Sequence, residues 1–74
     1  MIRYYKQYKE INATPFEITK EEARKTLEGY WIEDAVKDIF ENDRQFRLST
    51  PFSTVWTMDE NGNIPMAGFY GILY

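Results

Sequence analysis

The chain contains neither cysteine nor histidine, and this absence limits how it can fold more than any other feature of the sequence. Small domains are often stabilised by disulfides or by zinc, and both of these need cysteine or histidine side chains. A chain of 74 residues buries only roughly 60% of the surface that its unfolded form exposes, so its stability is marginal. We therefore expect one domain over residues 1–74, stabilised by packing or by self-association.

Aromatic residues supply much of the apolar volume that such packing needs. The sequence has six tyrosines, five phenylalanines and two tryptophans, and each of these side chains can bury ~150–250 Å². Disordered chains have few aromatic residues and are dominated by charge, whereas the net charge here is only −3. The composition predicts a folded domain.

The sequence shows no sign of export or of membrane insertion. Its first residues lack the apolar segment of a signal peptide, and no apolar run approaches the ~20 residues of a membrane-spanning helix. Together with the lack of cysteine, this predicts a cytoplasmic protein that does not associate with membranes.

The N-terminal segment, residues 2–11, fits two structures. As a strand it places Ile2, Tyr4 and Tyr8 on one side, whereas a helix would align Tyr4, Tyr8 and Ile11, so the pattern alone does not decide. We favour a strand because three tyrosines within five residues are typical of a pleated surface.

A capping box predicts where the first helix begins. Thr19 is followed three residues later by Glu22, a pair that satisfies free backbone N–H groups at a helix start, so the helix should begin at Lys20. Its buried side consists of two residues one turn apart, Ala23 and Leu27.

Gly29 ends this helix and separates it from a second one. Continuing the buried side of the first helix past Gly29 would bury three carboxylates without partners, which is costly. We therefore predict a second helix over residues 32–42, turned relative to the first. The apolar residues of its buried side follow helical spacing: Ile32, Ala35, Val36, Ile39 and Phe40.

After residue 45 the apolar residues alternate, which predicts strands. Asn61 and Gly62 form a strong signal for a type I′ hairpin turn, and Pro65 indicates an edge strand or a bulge. We expect one face of this hairpin to form the core: Phe52, Trp56, Met58, Pro65, Ala67, Phe69 and Leu73. The other face would be exposed and unusually apolar: Val55, Thr57, Ile64, Met66, Tyr70 and Ile72.

These elements predict an α+β fold of order β-α-α-β-β-β. The antiparallel sheet would have three to four strands, with two short helices on one of its faces. No internal repeat or linker divides the chain.

The composition disfavours catalysis. Without histidine or cysteine, the usual general bases and nucleophiles are missing, and a domain of this size has little room for a cleft of ~300 Å³ or more. The oxygen-rich group Asp59, Glu60, Asn61 and Asn63 fits turn formation better than calcium binding, because it lacks the spacing of an EF-hand. We predict a protein that is not an enzyme and holds no metal or cofactor.

Charge is unevenly distributed along the chain. Residues 1–9 contain three cations and no anion, whereas residues 28–43 contain six anions and one cation. Asp34, Asp38 and Glu41 lie on one face of the second helix, with ~6 Å between neighbours, which resembles the spacing of phosphates along a nucleic-acid strand. A solvated helix face is the simpler explanation of this acidic ridge.

These features together favour a protein-binding module. Asp34, Asp38 and Glu41 would steer it electrostatically towards a basic surface, and three apolar residues would anchor it: Trp31, Met66 and Tyr70. In size and charge the chain is analogous to inhibitors encoded by phages or mobile elements, such as anti-CRISPR and anti-restriction proteins, which block a nucleic-acid-binding surface of their target.

Two other functions remain open. The exposed sheet face could join copies of the chain into a homodimer or larger oligomer. Alternatively, the N-terminus could bind single-stranded nucleic acid through interleaved basic and aromatic side chains: Arg3, Tyr4, Tyr5, Lys6 and Lys9. The acidic net charge makes a nucleic-acid partner the weaker alternative.

Overall fold

A computed structural model describes residues 2–70 and confirms the α+β class. Four strands form one antiparallel sheet in the order β2-β1-β4-β3. Within residues 2–70, neither helix is long and apolar enough to cross a bilayer. The elements in chain order are β1 (Arg3–Tyr8), β2 (Phe16–Ile18), α1 (Lys20–Leu27), α2 (Glu33–Glu41), β3 (Arg47–Ser49) and β4 (Ser53–Met58).

The N-terminal segment is a strand, as predicted. β1 pairs with β4 along its whole length, from Arg3 opposite Met58 to Tyr8 opposite Ser53. On its other side β1 pairs with β2, a strand that the sequence analysis did not predict. Hydrogen bonding on both sides makes β1 a central strand, and Tyr4 points from it into the core with only 7% of its surface exposed.

α1 begins at the predicted residue. The Thr19 hydroxyl accepts a hydrogen bond from the backbone N–H of Glu22 at 3.1 Å, and the helix starts at Lys20. Ala23 and Leu27 are completely buried, as their spacing indicated. Gly29 follows with φ +92°, a conformation that residues with a Cβ atom rarely adopt.

α2 is one residue shorter at each end than the predicted helix 32–42. Three of its apolar residues are buried as expected: Val36, Ile39 and Phe40. Ile32 was expected in the core, but it is 75% exposed. The reason is that Ile32 occupies the N-cap position with extended backbone (φ −57°, ψ 130°), so its side chain does not follow the helical period.

The prediction for the two faces of β4 was wrong. Val55 and Thr57 point towards the helices and are completely buried, whereas Trp56 lies on the opposite side, which we call the outer face of the sheet. The helix-covered face already holds the rings of Phe46 and Phe40, whose centroids are 5.5 Å apart. Because large rings fill this space, the smaller Val and Thr side chains fit there.

Trp56 is buried by neighbouring strands instead of by the helices. Its ring stacks on Tyr5 of β1 at 6.2 Å, and the guanidinium of Arg47 on β3 lies 5.6 Å from its centroid. Only 5% of Trp56 is exposed. Phe52 was also predicted in the core, but it is 65% exposed because it lies in the connection before β4.

The predicted hairpin after β4 does not form in the described residues. A type I′ turn needs positive φ at both central residues, but Gly62 has φ +82° and Asn61 does not have positive φ. The Asp59 carboxylate instead accepts hydrogen bonds from the backbone N–H groups of Asn61 and Asn63, both at 2.9 Å. This competing turn directs the chain away from β4.

After this turn the chain returns beside β3. Arg47 donates its backbone N–H to Phe69 and accepts from Gly68, both at 2.8 Å, and Phe46 forms an isolated bridge with Tyr70. The order of elements is therefore β-β-α-α-β-β, in place of the expected β-α-α-β-β-β. Ile72 and Leu73, which we had assigned to the hairpin, lie outside the described residues.

Thr57 tests this assignment of faces. Its hydroxyl accepts the backbone N–H of Phe46 at 3.1 Å, so Thr57→Val should leave a buried N–H unsatisfied and lower the free energy of unfolding by about 1–3 kcal/mol. Urea denaturation measures this loss. Thr54 on the outer face is the matched control, since Thr54→Val should change stability by less than about 0.5 kcal/mol. Equal losses at both positions would contradict the observed arrangement.

Candidate functional site

Three connections lie at the same end of the sheet: residues 9–15 between β1 and β2, 28–32 between α1 and α2, and 50–52 between β3 and β4. Residues 50–52 contact both of the other connections. The backbone N–H of Lys9 donates to the carbonyl of Phe52 at 2.9 Å, and the ring of Tyr30 lies 6.1 Å from that of Phe52.

Most of the exposed apolar surface lies at this end. In residues 2–70, nine large apolar side chains are exposed, and seven of them lie on or beside these connections. We call this surface the aromatic end: Tyr8, Ile11, Phe16, Tyr30, Trp31, Ile32 and Phe52. The other two, Ile64 and Met66, lie in the segment that follows β4.

The aromatic end is large for a surface of this kind. The exposed fractions of its five rings range from 38% for Trp31 to 65% for Phe52. At ~150–250 Å² per aromatic side chain, the rings alone expose roughly 350–600 Å². Ile11 and Ile32, which are 94% and 75% exposed, add to this area. Taken together, these side chains expose an area comparable to the largest apolar patch of a typical monomer, about 300–600 Å², and such patches mark interaction sites.

Ring contacts and hydrogen bonds hold this surface in place. Tyr8 and Phe16 pack with centroids 5.8 Å apart, and Tyr30 meets Phe52 edge to face. The Trp31 indole N–H donates to the carbonyl of Ser49 at 3.1 Å. Side chains that are already ordered lose little conformational freedom on binding, which favours affinity.

Asp38, one of the predicted steering residues, is occupied by contacts within the chain. Its carboxylate accepts hydrogen bonds from Arg44 Nε at 2.8 Å, from the Tyr70 hydroxyl at 2.9 Å and from Asn42 Nδ2 at 2.9 Å. The bonds from Tyr70 and Arg44 hold the pKa of Asp38 below its usual value. Asp38 therefore stabilises the fold, and its charge is balanced locally by Arg44.

The other two acidic residues of the predicted ridge differ from each other. Glu41 faces Lys37 on the same helix, with 3.9 Å between the charged atoms. Asp34 is exposed and forms no ion pair within the described residues. Glu33, which the sequence analysis did not single out, is likewise exposed without an ion pair there.

The three predicted anchor residues differ in exposure and in their partners within the chain. Tyr70 is half-buried, and its hydroxyl bonds to Asp38, so the structure brings together one residue of the steering group and one of the anchor group. Met66 is 75% exposed in the segment after β4. Trp31 alone belongs to the aromatic end.

The basic, tyrosine-rich N-terminus is divided between the two faces of the sheet. Tyr4 and Lys6 point towards the helices, where Tyr4 is buried and the Lys6 ammonium lies 3.4 Å from the Thr26 hydroxyl. Arg3 and Tyr5 point to the outer face. The residues that looked like a nucleic-acid site in the sequence therefore do not share one surface.

The opposite end of the sheet holds an open groove of about 740 Å³ that includes Arg3, Tyr4, Lys20 and Asp43. Our expectation that the domain has little room for a cleft was wrong in volume, although this groove is open to solvent. The Lys20 ammonium lies 2.7 Å from the Asp43 carboxylate, and this bond raises the pKa of Lys20. Lys20 is thus charged at neutral pH and unsuited to act as a nucleophile or base.

Burial raises the pKa of the Tyr4 hydroxyl in this groove, so Tyr4 also keeps its proton at neutral pH. In residues 2–70 no three carboxylates are arranged to hold a metal ion. That the protein is not an enzyme and has no cofactor stays a prediction.

Comparison with models of known protein families finds no match. Neither the curated proteins nor the solved structures include a significantly similar chain. Evidence about function therefore comes from the surface described above.

Most of the aromatic end was missed by reasoning from the sequence. Tyr30 directly follows Gly29, the predicted end of the first helix, and Phe52 directly follows a proline, Pro51; side chains beside such breaks are more often exposed than those inside an element. That adjacency was the available signal. The contacts between these connections link residues that are far apart in the sequence, so the local spacing of apolar residues could not predict them.

The role of Asp38 in the fold predicts how stability depends on pH. A carboxyl whose pKa is lowered by folding stabilises the folded state above its unfolded pKa, and this contribution is lost as pH falls through the folded pKa. We therefore expect Asp38→Asn to lower the free energy of unfolding at neutral pH, and the difference from wild type to disappear in acid.

Urea denaturation at a series of pH values measures this difference. Asp34→Asn is the matched control on the same helix, and it should cause little loss at any pH. If Asp38→Asn were as stable as wild type at neutral pH, the bonds to Tyr70 and Arg44 would contribute nothing to folding.

Proposed function

We propose that this chain is a non-catalytic module that binds another protein through its aromatic end. The observation that carries the proposal is the concentration of exposed rings and isoleucines on or beside three connections at one end of the sheet, of which residues 50–52 contact the other two. Aromatic side chains dominate the binding energy of protein interfaces. A surface that contacts only water gains no stability from seven large apolar side chains at one end.

The charges beside the aromatic end indicate what kind of surface it meets. Glu33 and Asp34 directly follow Ile32 and lack ion pairs in the described residues. They can attract basic groups on a partner, whereas Asp38 and Glu41 face cations of their own chain. Glu33 and Asp34 are therefore the residues that attract the partner electrostatically as it approaches.

The partner we propose is a protein with apolar depressions flanked by lysine or arginine. Nucleic-acid-processing enzymes carry such basic surfaces. A small acidic module would inhibit an enzyme of this kind by covering its nucleic-acid-binding surface, as an anti-CRISPR or anti-restriction protein of a phage or mobile element would. This role places the protein in the cytoplasm of the host cell.

A second copy of the chain is the competing partner. We had expected an oligomer to form through the sheet face that carries Val55 and Thr57, but both residues are completely buried beneath the helices. On the outer face the largest ring, Trp56, is covered by Tyr5 and Arg47. The aromatic end is the better surface for self-association as well. Direct binding of single-stranded nucleic acid has less support, because Tyr4 and Lys6 face the helices.

A double substitution at the aromatic end tests the proposal. Ile32→Ser with Phe52→Ser removes two of its most exposed apolar side chains, and serine at the N-cap position of α2 is favourable for the helix. We expect this variant to fold but to lose capture of a partner from lysate of the source cells, measured by quantitative pull-down. Losing two apolar anchors should weaken binding by at least about tenfold.

The matched control is Ile64→Ser with Met66→Ser, which removes the two exposed apolar residues outside the aromatic end. This control should retain capture. Sedimentation of the wild type measures self-association. If the wild type forms a concentration-dependent dimer and the Ile32/Phe52 variant does not, a second copy of the chain is the partner of the aromatic end. Equal capture by both double variants would refute binding through the aromatic end.

A further inference from the structure

A cleft of about 380 Å³ lies beside the aromatic end, between α1 and the beginning of α2. Trp31 and Val36 supply its apolar lining. The charged residues that line it are Arg24, Glu28, Glu33 and Lys37. The cleft is large enough for a side chain of a partner, although it is too small for a folded segment.

Of the four charged side chains that line this cleft, one forms no ion pair within the described residues. Arg24 Nε donates to Glu28 at 3.1 Å, and Lys37 lies 3.9 Å from Glu41. Both cations of the lining therefore already have a carboxylate. Glu33 is the lining residue that forms no ion pair in the described residues, so its carboxylate is the group of the cleft that is available to a cationic occupant.

The aromatic wall of the cleft is held in a fixed position. The Trp31 backbone N–H donates to the carbonyl of Leu27, and its indole N–H donates to the carbonyl of Ser49, both at 3.1 Å. These bonds attach the residue to α1 and to the end of β3. Trp31 as a whole is still 38% exposed, so part of its surface is accessible to a ligand.

We propose that this cleft binds a basic side chain of the partner protein, with the Trp31 indole and the Glu33 carboxylate as its two main contacts. Tryptophan is the best aromatic partner for a cation, and a carboxylate next to it adds charge pairing. Arginine fits better than lysine, because its planar guanidinium stacks on aromatic rings and forms bidentate bonds to carboxylates. The proposal rests on the proposed function, since it specifies what the partner inserts beside the aromatic end.

The test is an NMR titration of the full chain with capped tripeptides of sequence Gly-Arg-Gly, Gly-norleucine-Gly and Gly-Glu-Gly. The arginine peptide should shift the indole N–H signal of Trp31 and the amide signals of Glu33 and Val36, with an affinity on the order of millimolar. The other two peptides should cause much smaller shifts.

Variants that are expected to change the affinity for the arginine peptide in opposite directions make the test specific. Glu33→Gln should weaken binding of the arginine peptide by roughly two- to fivefold, as expected for an exposed ion pair. Lys37→Gln should strengthen it, because it removes a competing cation from the lining. Glu21→Gln, an exposed carboxylate in the first turn of α1, should leave it unchanged.

The proposal fails if the arginine peptide shifts none of these signals, or if Glu33→Gln binds it as well as the wild type does. It also fails if the norleucine or glutamate peptide binds equally well. These outcomes leave the proposed function standing, because that function is judged by capture with the Ile32/Phe52 variant. The NMR spectrum itself reports whether each variant is folded.

Discussion

The packing of Phe46 against Tyr4 and Phe40 is the contact on which the rest of the structure depends. Phe46 is completely buried, with its ring 5.5 Å from Phe40 and 6.3 Å from Tyr4. It thereby joins α2 to both central strands, since its backbone also bonds to Thr57 of β4. A chain without cysteine or histidine has no disulfide or zinc site to replace this contact.

The small size of this core explains where the remaining rings go. Three aromatic side chains and the aliphatic residues of both helices occupy the space between helices and sheet, so other large rings must lie elsewhere. Trp56 and Tyr5 stack on the outer face under the Arg47 side chain. Most of the others are at the aromatic end, where the fold does not bury them.

The sequence predicts the helices better than the strands, for a physical reason. Thr19 and the spacing of Ala23 and Leu27 act within one helix, so local pattern was sufficient. In β4 both faces carry apolar residues, and alternation alone cannot tell which one meets the helices. At the Asn61-Gly62 turn, the Asp59 carboxylate accepts hydrogen bonds from the backbone N–H groups of Asn61 and Asn63, and the predicted hairpin turn does not form. At the site, the bond between Tyr70 and Asp38 spans 32 positions, beyond the reach of any local pattern.

The acidic residues of α2 differ in whether they contact cations of their own chain. The acidic residues of α2 look equivalent in sequence, yet Asp38 holds Arg44 and Tyr70, while Glu33 and Asp34 in the first turn have no ion pair in the described part of the chain. Carboxylates at a helix N-terminus are favoured by the helix dipole and need no cation for stability. Glu33 and Asp34 can therefore stay charged and unpaired beside the aromatic end without a cation to stabilise them, while Val36, Ile39 and Phe40 of the same short helix are buried in the core.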